Sequence, residues 1–322
     1  MSTQADISVD LETDHGVLYL DYPVMNASGI LCFPPVLRLS APYLGAVVTK
    51  SIGPEPRTGY KEPIVAYRDE VLVNAVGLPN PGYEEFRGEI QKFYPLFIEG
   101  RRIPTIISVF GNTPEEFTQV VKGLHEYCDA LELNFGCPNT SPGEKTGMTI
   151  GQDPDLVHEY TERVRGITDK PLIVKLTPNT DLIVPIAQAT IDAGADAISV
   201  INTVYPGGVR DEVGRPILTR KQGGISGPTV KERGLDVVSQ IYDTVDVPII
   251  GMGGIRTAQD VLDYMLAGTD AVAIGTAFMG MNTQERNDYL TRLYQDLGEL
   301  IQERGYSSLR GMLDAERTRI SR

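Results

Sequence analysis

Cysteine is scarce in this chain of 322 residues, which contains only Cys32, Cys128 and Cys137. Three scattered thiols do not form a disulfide framework, and the sequence has no Cys-x-x-Cys or histidine-rich spacing of the kind that binds zinc. Because an iron–sulfur cluster usually takes four thiolates, an electron relay through such a cluster would need another subunit. The sequence therefore predicts no metal site in this chain.

Positive charge is also in short supply, since 29 lysines and arginines against 43 aspartates and glutamates give a formal net charge of −14. A nucleic-acid-binding surface needs clustered basic residues to neutralise phosphates, and no such cluster is visible. No run of about 18 apolar residues is long enough to span a bilayer, and no cleavable apolar leader is evident. These absences favour a cytoplasmic protein that acts on small molecules, with neither nucleic acid nor membrane as a partner.

What the chain does have is eight short apolar runs, several of which end in a polar or glycine-rich tip. The runs are PVMNASG, AVVTKS, TIISVFG, ALELNFGCPN, LIVKLTP, AISVINT, PIIGMGG and AVAIGT. Segments with the apolar spacing of helices lie between several of them, at 114–128, 154–168, 182–194, 230–245 and 257–268. This alternation predicts an α/β fold, a (β/α)8 TIM barrel that forms a single domain over residues 1–322.

Three connections from strand to helix, at 52–82, 138–153 and 203–229, are longer than barrel closure needs. In a barrel they become long insertions over the carboxyl-terminal face of the strands, where loops commonly cover a substrate. Residues 1–20 predict a strand or hairpin that closes the bottom of the barrel. The segment 284–322 predicts a terminal amphipathic helix, to about residue 304, and then a short tail.

A parallel barrel brings the ends of all eight runs to one face, so their polar tips are expected to share one site. Besides the asparagine and cysteine tip described next, these tips include Asn26, Lys50, Ser108 and Asn202. Lys50 and Lys175 finish buried strands, where a lysine is expected to meet negative charge. One lysine suits an anionic cofactor ring and the other a substrate carboxylate.

The most specific tip is ALELNFGCPN, which places Asn134, Cys137 and Asn139 on one tight loop. Asparagine amides both donate and accept, so they can read the edge of a planar amide ring such as a pyrimidine. A cysteine has a reference pKa of about 8.5, close enough to neutrality for tuning as a general base or acid. For Cys32 and Cys128 the expectation is a small buried apolar residue.

The last two runs end in Gly253–Gly254 and Gly275–Thr276. In α/β barrels the loops after the seventh and eighth strands commonly hold a phosphate on exposed backbone N–H groups. Upstream, Gly223–Gly224 and Ser226–Gly227 are placed to complete the same anion site. Together they favour a ligand that carries phosphate.

The chain resembles the class 1 dihydroorotate dehydrogenases, which are FMN enzymes that oxidise dihydroorotate to orotate in the biosynthesis of pyrimidines (UMP), over almost its whole length. The matching motifs are NASG (26–29), KS (50–51), NAVGLPN (74–80), NFGCPN (134–139), VKLTPN (174–179), INT (201–203), GGISGP (223–228), GMGG (251–254) and IGT (274–276). Nine motifs in the same order carry the resemblance.

The resemblance implies a role for each matching residue. Cys137 would remove the C5 proton of dihydroorotate while the C6 hydride passes to N5 of FMN, and Lys175 would stabilise negative charge near N1 and O2 of the flavin. The substrate-binding residues would be Lys50, Asn74, Ala75, Val76, Gly77, Leu78, Asn134, Asn139, Asn202 and Thr203. The cofactor-binding residues would be Ala27, Ser28, Gly29, Lys50, Ser51, Ser108, Asn134, Lys175, Ile201, Gly227, Gly253, Gly254, Gly275 and Thr276.

The motifs also bear on the subclass. The membrane-associated class has a serine base and an apolar N-terminal extension, so Cys137 and the polar N-terminus favour class 1. The segment INTVYPGGVRDEVGRPILTRKQGGISGP resembles the NAD-linked type, class 1B, whose catalytic subunit pairs with an FAD and [2Fe–2S] electron-transfer subunit. Ser108 departs from that type, which usually has asparagine there. KSIGPEPRTGYKEP and NAVGLPNPGY resemble archaeal members, and a homodimer or heterotetramer is the family expectation.

Other interpretations of the sequence stay open. Dihydropyrimidine dehydrogenases share the character of NFGCPN and GQDPDLV, with their cysteine acting as an acid toward uracil, although NAVGLPN argues for a carboxylate-bearing substrate. The fumarate-using class 1A is a second alternative. A non-redox isomerase or lyase would use the same glycine-lined phosphate site, and a catalytically silent scaffold would need neither Cys137 nor Lys175.

Overall fold

The computed structural model describes most of the chain, and Cys32 and part of 138–153 lie outside the described residues. The described residues are 5–31, 33–68, 70–139, 143 and 145–320. The strands in this part are β1 (Val9–Thr13), β2 (Gly16–Leu20), β3 (Val24–Asn26), β4 (Val47–Val48), β5 (Val65–Arg68), β6 (Val71–Asn74), β7 (Phe97–Ile98), β8 (Arg101–Arg102), β9 (Thr105–Val109), β10 (Ala130–Asn134), β11 (Leu172–Lys175), β12 (Ala197–Val200), β13 (Val204–Gly207), β14 (Gly223–Ser226), β15 (Ile249–Met252) and β16 (Ala271–Ile274). The α-helices are α1 (Pro34–Ser40), α2 (Tyr83–Phe93), α3 (Pro114–Leu124), α4 (Met148–Gly151), α5 (Pro154–Arg165), α6 (Ile183–Asp192), α7 (Lys231–Tyr242), α8 (Ala258–Ala267), α9 (Thr283–Glu303) and α10 (Leu309–Ile320).

Eight strands form one parallel sheet in the order β3-β16-β15-β12-β11-β10-β9-β4. They coincide with the eight apolar runs, and every residue in them is buried. Continuous Val- and Ile-rich runs are typical of parallel strands that are covered on both faces. The predicted (β/α)8 TIM barrel is confirmed.

The barrel closes between β3 and β4, which stand at the two ends of the sheet order. The fully buried Asn26 bridges this seam, because its Oδ1 accepts from the Val48 N–H at 2.9 Å and its Nδ2 donates to the Val48 carbonyl at 2.7 Å. Nδ2 also donates to the Ile30 carbonyl at 2.9 Å. The Asn26 side chain therefore supplies hydrogen bonds between β3 and β4, which stand at opposite ends of the sheet order. The expectation that Asn26 contributes a polar tip to the site is wrong.

The five predicted crossover helices are confirmed as α3, α5, α6, α7 and α8. Three of them, α3, α5 and α8, begin at a side-chain cap, which satisfies free N–H groups of the first turn. The Thr113 hydroxyl accepts from the Glu116 N–H at the start of α3, and Thr257 forms a reciprocal capping box with Asp260 at the start of α8. Each helix then covers the barrel with its apolar face.

Two of the three long connections pair with each other in an antiparallel sheet of order β13-β14-β6-β5, which roofs the carboxyl-terminal face. Gly224 lies opposite Asn74 in the β14–β6 ladder, and a Cβ on the neighbouring Gly223 would stand 2.1 Å from the Asn74 carbonyl oxygen. Glycine is required there by this close approach. The sequence predicted loops at these positions because such short, glycine-rich strands carry no period-2 pattern.

The first strands, β1 and β2, form an antiparallel hairpin at the amino-terminal end of the barrel. His15, in the turn of this hairpin, lies 2.7 Å from the carboxylate of Asp196, which directly precedes β12. Arg165 contacts the same carboxylate at 2.7 Å. These contacts attach the hairpin to the barrel end opposite the polar tips.

The end of the chain differs from its prediction. Helix α9 corresponds to the expected amphipathic helix, but the segment predicted to be a tail contains the further helix α10. Leu309, Met312 and Leu313 of α10 are buried, and α10 packs against α8 and α9. Burial of these three side chains against neighbours distant in sequence stabilises a helix whose own polar pattern is a weak signal.

Replacement of Asn26 by alanine tests the seam. Asn26→Ala leaves the Val48 N–H and carbonyl buried without partners, so we expect about 2–4 kcal/mol lower stability, measured from the urea denaturation midpoint. Gln295→Ala, at an exposed position on α9, is the control and should change stability by less than about 0.5 kcal/mol. Equal midpoints for the two variants would show that the amide does not hold the seam.

Candidate active site

A cavity of about 1600 Å³ opens at the carboxyl ends of the barrel strands, beneath the β13-β14-β6-β5 roof. Pockets for a single drug-sized ligand usually measure roughly 300–1000 Å³, so this one has room for a cofactor and a substrate together. Its walls come from the tips of the barrel strands and from the two long connections.

Nearly all residues that the sequence assigned to the site line this one cavity. They are Ala27, Ser28, Gly29, Lys50, Ser51, Asn74, Val76, Gly77, Leu78, Asn134, Cys137, Asn139, Lys175, Ile201, Asn202, Thr203, Gly227, Gly253, Gly254, Gly275 and Thr276. Ala75 and Ser108 are not part of the lining. Ala75 is buried in a small apolar cluster with Ala66 and Val73, and the fully buried Ser108 lies behind Ser51, with 2.9 Å between their hydroxyl oxygens.

Cys137 follows β10 and is 9% exposed at the cavity wall. Burial raises the pKa of its thiol, because a thiolate loses hydration there, while the Asn139 N–H and the charges of Lys50, Lys175 and Arg57 oppose that rise. The same environment thus excludes bulk water and partly stabilises the thiolate. The thiolate that forms in this setting can accept a proton from a bound ligand.

Four asparagine amides surround the thiol. Asn139 donates to the side-chain and backbone oxygens of Asn74 at 2.9 and 3.0 Å, which joins the NFGCPN loop to the roof. Asn134 Nδ2 donates to the Ser51 hydroxyl at 2.9 Å, and the Asn202 side chain lies 3.5 Å from Asn134 Oδ1. These contacts fix the amides in place and leave further donors and acceptors for a planar amide ligand.

Thr203 supplies an unsatisfied polar atom at the same end of the cavity. Its Oγ1 is buried and has no hydrogen-bond partner among the described residues. Buried hydroxyls are nearly always hydrogen-bonded in native proteins, so this unpaired one is an exception among the residues that line the cavity.

The two lysines lie at the ends of β11 and β4. Lys175 is only 3% exposed, and within the described part of the chain it takes part in no ion pair. Lys50 also lines the cavity, near enough to Cys137 to favour its thiolate. A buried cation without a carboxylate partner is costly, so a negatively charged ligand group is expected at Lys175.

The other end of the cavity is lined by backbone. Gly227, Gly253 and Gly254 have φ angles of 104°, 120° and 74°, which favour glycine, and a Cβ on Gly254 would meet the Lys231 backbone nitrogen at 2.9 Å. Among the described residues, the N–H groups of Gly253 and Gly254 have no acceptor. Exposed N–H groups at such a tip form an anion site, so this end fits the phosphate of FMN.

Arg57 is a cavity residue that the sequence analysis missed. It lies in the first long connection, where its backbone pairs with that of Asn80, and its charge acts on Cys137. Its place depends on the path of the roof across the barrel, and no local pattern in the sequence signals that path.

The described residues contain no helix that is both long and apolar enough to cross a membrane.

Comparison with known proteins decides the family. A family model described as "Dihydroorotate dehydrogenase" matches residues 11–296. The chain belongs to the dihydroorotate dehydrogenase family. Enzymes of this family are FMN-dependent oxidoreductases, and the reaction of this chain is the oxidation of dihydroorotate in pyrimidine biosynthesis.

Curated relatives within the dihydroorotate dehydrogenase family are similar over most of their length. The chain is 41% identical over 295 residues to "Dihydroorotate dehydrogenase B (NAD(+)), catalytic subunit" of Pyrococcus abyssi, covering 90% of this chain and 94% of the relative. It is 43% identical over 277 residues to the protein of that name from Thermococcus kodakarensis, covering 85% and 87%. This bears out the predicted resemblance to archaeal class 1B catalytic subunits.

A solved structure supports the fold. The dihydroorotate dehydrogenase of Eimeria tenella, crystallised with ferulenol, matches with a TM-score of 0.79 over 95% of this chain and 88% of that chain. The two sequences are 21% identical, so this likeness concerns the barrel.

Gly254→Ala tests the phosphate end. The added Cβ collides with Lys231 and strains a left-handed φ, and we expect FMN to bind about tenfold or more weakly in a fluorescence titration of the apoprotein. Gly305→Ala is the matched control, because Gly305 also has a positive φ of 85° but has no neighbour within 4 Å. If both variants bind FMN as the native protein does, the phosphate is not held at Gly254.

Proposed function

We propose that dihydroorotate binds between Cys137 and FMN, and that Cys137 is the base of its oxidation. The observation that carries this proposal is the convergence, in one cavity, of a buried thiol, four asparagine amides and two lysines with a glycine-lined anion site. Removing a proton and a hydride from adjacent carbons requires the base and the hydride acceptor to be held at the ring together.

The amide end of the cavity is assigned to the substrate. Asn74, Asn134, Asn139 and Asn202 hold the pyrimidine ring through paired donors and acceptors, and the Thr203 hydroxyl completes its hydrogen bonding on the ligand. Lys50 and the loop Val76–Leu78, which line the cavity beside these amides, receive the carboxylate. Positive φ angles at Gly77 and Leu78, 80° and 55°, turn this loop toward the cavity.

The backbone-lined end is assigned to FMN, which when bound supplies the hydride acceptor. The residues that hold the cofactor are Ala27, Ser28, Gly29, Ser51, Ile201, Gly227, Gly253, Gly254, Gly275 and Thr276. Lys175 would stabilise negative charge on the flavin ring, a role consistent with a buried, cavity-lining lysine that has no carboxylate partner among the described residues.

Cys137 as a thiolate takes the C5 proton and becomes a neutral thiol. The electron pair of the C5–H bond becomes the second bond between C5 and C6, and the C6–H bond breaks as its hydride leaves for the acceptor that bound FMN would supply. Lys50, Lys175 and Arg57 stabilise the thiolate before transfer. Since the thiol is 9% exposed, bulk water competes little for the proton.

Electrons are proposed to pass to NAD through a partner subunit that carries FAD and a [2Fe–2S] cluster. The support is the name of the relatives, a catalytic subunit linked to NAD(+). Exposed apolar side chains on the cavity rim, Phe33 at 67%, Tyr67 at 63% and Met279 at 47%, are consistent with a seat for such a subunit beside the flavin.

An anaerobic visible spectrum separates this proposal from a pyrimidine reductase. Dihydroorotate should bleach the flavin of the purified holoprotein, whereas dihydrouracil, which lacks the carboxylate met by Lys50, should leave it oxidised. Bleaching by dihydrouracil alone would assign a dihydropyrimidine dehydrogenase-like activity. A colourless protein that FMN cannot reconstitute would point to a non-redox barrel.

The same reduced sample tests the acceptor. Fumarate should leave the flavin reduced, because the proposed exit for electrons is a partner subunit. Rapid reoxidation by fumarate would instead assign the chain to the fumarate-using type.

The Cys137→Ala variant should retain FMN, but dihydroorotate should reduce its flavin about 10²–10⁴-fold more slowly than in the native protein. That factor is the usual contribution of a general base. In the native protein burial raises the pKa of Cys137, so the rate should climb with pH as the thiolate forms and level off above that pKa. Cys128→Ala is the control, because burial raises the pKa of that thiol to about 12 and it lies outside the cavity lining. If stopped-flow measurements show that the flavin of Cys137→Ala is reduced at the native rate, Cys137 is not the base.

A further inference from the structure

Glu132 is a carboxylate inside the barrel, in the middle of β10, and it is only 4% exposed. Among the described residues it forms no ion pair, and it does not line the cavity. A buried carboxylate is costly unless its oxygens are satisfied. Two serine hydroxyls satisfy them: Ser108 donates to Oε1 at 2.9 Å and Ser199 to Oε2 at 3.1 Å.

The Ser108 bond continues into the active site. The hydroxyl oxygens of Ser108 and Ser51 are 2.9 Å apart, and Asn134 Nδ2 lies 2.9 Å from the Ser51 oxygen. Glu132, Ser108, Ser51 and Asn134 therefore form one chain of hydrogen bonds that runs from the barrel interior to the cavity wall.

The carboxylate sets the direction of this chain, because it can only accept and each hydroxyl has one proton to give. Ser108 gives its proton to Glu132, so its oxygen accepts from Ser51. Ser51 also lies 3.1 Å from the Ser28 hydroxyl, which gives its own proton to the Thr49 carbonyl. Because Ser51 has one proton and gives it to a neighbouring hydroxyl, it can only accept from Asn134. If the Asn134 amide were flipped, its oxygen would face the Ser51 oxygen, and neither atom would have a proton to donate to the other.

The other side of the amide agrees with this direction. Asn134 Oδ1 accepts from the Gly136 N–H at 3.2 Å and faces the Asn202 Nδ2 at 3.5 Å. Asn202 Oδ1 in turn accepts from the Thr203 N–H at 2.8 Å. With Asn134 held this way, its second N–H remains available to a ligand in the cavity.

We propose that Glu132 is a positioning residue, which acts through Ser108 and Ser51 to fix the amide orientation of Asn134 and thereby the donor pattern that the pyrimidine ring meets. The orientation follows from the hydrogen bonds alone. Its consequence for ligand affinity rests on the proposed function of Asn134 in substrate binding.

The orientation is tested by NMR of the holoprotein labelled with [15N]asparagine, with the Asn134 side-chain signal assigned from Asn134→Asp. Glu132→Met removes both acceptors at similar volume, and Ser108→Ala interrupts the chain in a second way if the first variant folds poorly. Both should shift the Asn134 amide signal and speed its exchange with solvent. Ser199→Ala, which bonds the same carboxylate on the side away from Ser51, should leave the signal in place.

Orotate affinity tests the consequence. We expect Glu132→Met and Ser108→Ala each to raise the orotate Kd about tenfold, the size of one lost hydrogen bond. The double variant should be no weaker than either single variant, because both act through one chain, and Ser199→Ala should bind normally.

An unchanged Asn134 signal in Glu132→Met would overturn the proposal, as would additive losses of affinity in the double variant. A native protein that does not bind orotate would instead refute the proposed function, and the NMR result would still decide the role of Glu132.

Discussion

The side-chain amide of Asn26 holds the first barrel strand to the second, and the shape of the site depends on that seam. The tips of these strands carry Ser28, Lys50 and Ser51, and closure places them beside Gly275 and Thr276 at the end of the last strand. A short β4 of two residues offers little backbone pairing of its own. One amide that imitates a peptide group on both its donor and its acceptor side therefore helps to join the two ends of the sheet, together with the hydrogen bonds from the Gly45 N–H to the Val24 carbonyl and from the Ser28 hydroxyl to the Thr49 carbonyl.

The carboxyl-terminal face concentrates groups that weaken a protein core. Four such groups lie around one cavity, judged by their contacts within the described part of the chain: a buried lysine without a carboxylate partner, an unsatisfied hydroxyl, unpaired N–H groups and a thiol with a raised pKa. The apolar strands and the helices outside them offset that cost, and a bound cofactor and substrate would satisfy the same groups. Local costs that a ligand relieves are typical of functional sites.

The two ends of the cavity recognise ligands by different means. The phosphate end offers backbone N–H groups to its ligand, and this requires glycine and tolerates few alternatives. The amide end offers side chains, and neighbouring residues must set their orientation. The buried chain from Glu132 to Asn134 sets one such orientation from inside the barrel. A barrel shared with a protein only 21% identical shows that this scaffold persists when most of the sequence differs.

The sequence by itself determined the eight strands, the crossover helices and the residues at the strand tips that meet in the cavity, because apolar periodicity is local and a parallel barrel sends every strand tip to the same face. Cys137, Lys175 and the glycine tips follow from that rule. Only the tertiary structure decided that Asn26 closes the seam, that Ser108 lies behind Ser51, and that Ala75 turns away from the cavity. It also decided the roof sheet, the last helix and the place of Arg57. Each of these depends on contacts between segments far apart in the chain, and such contacts leave no periodic trace in either segment.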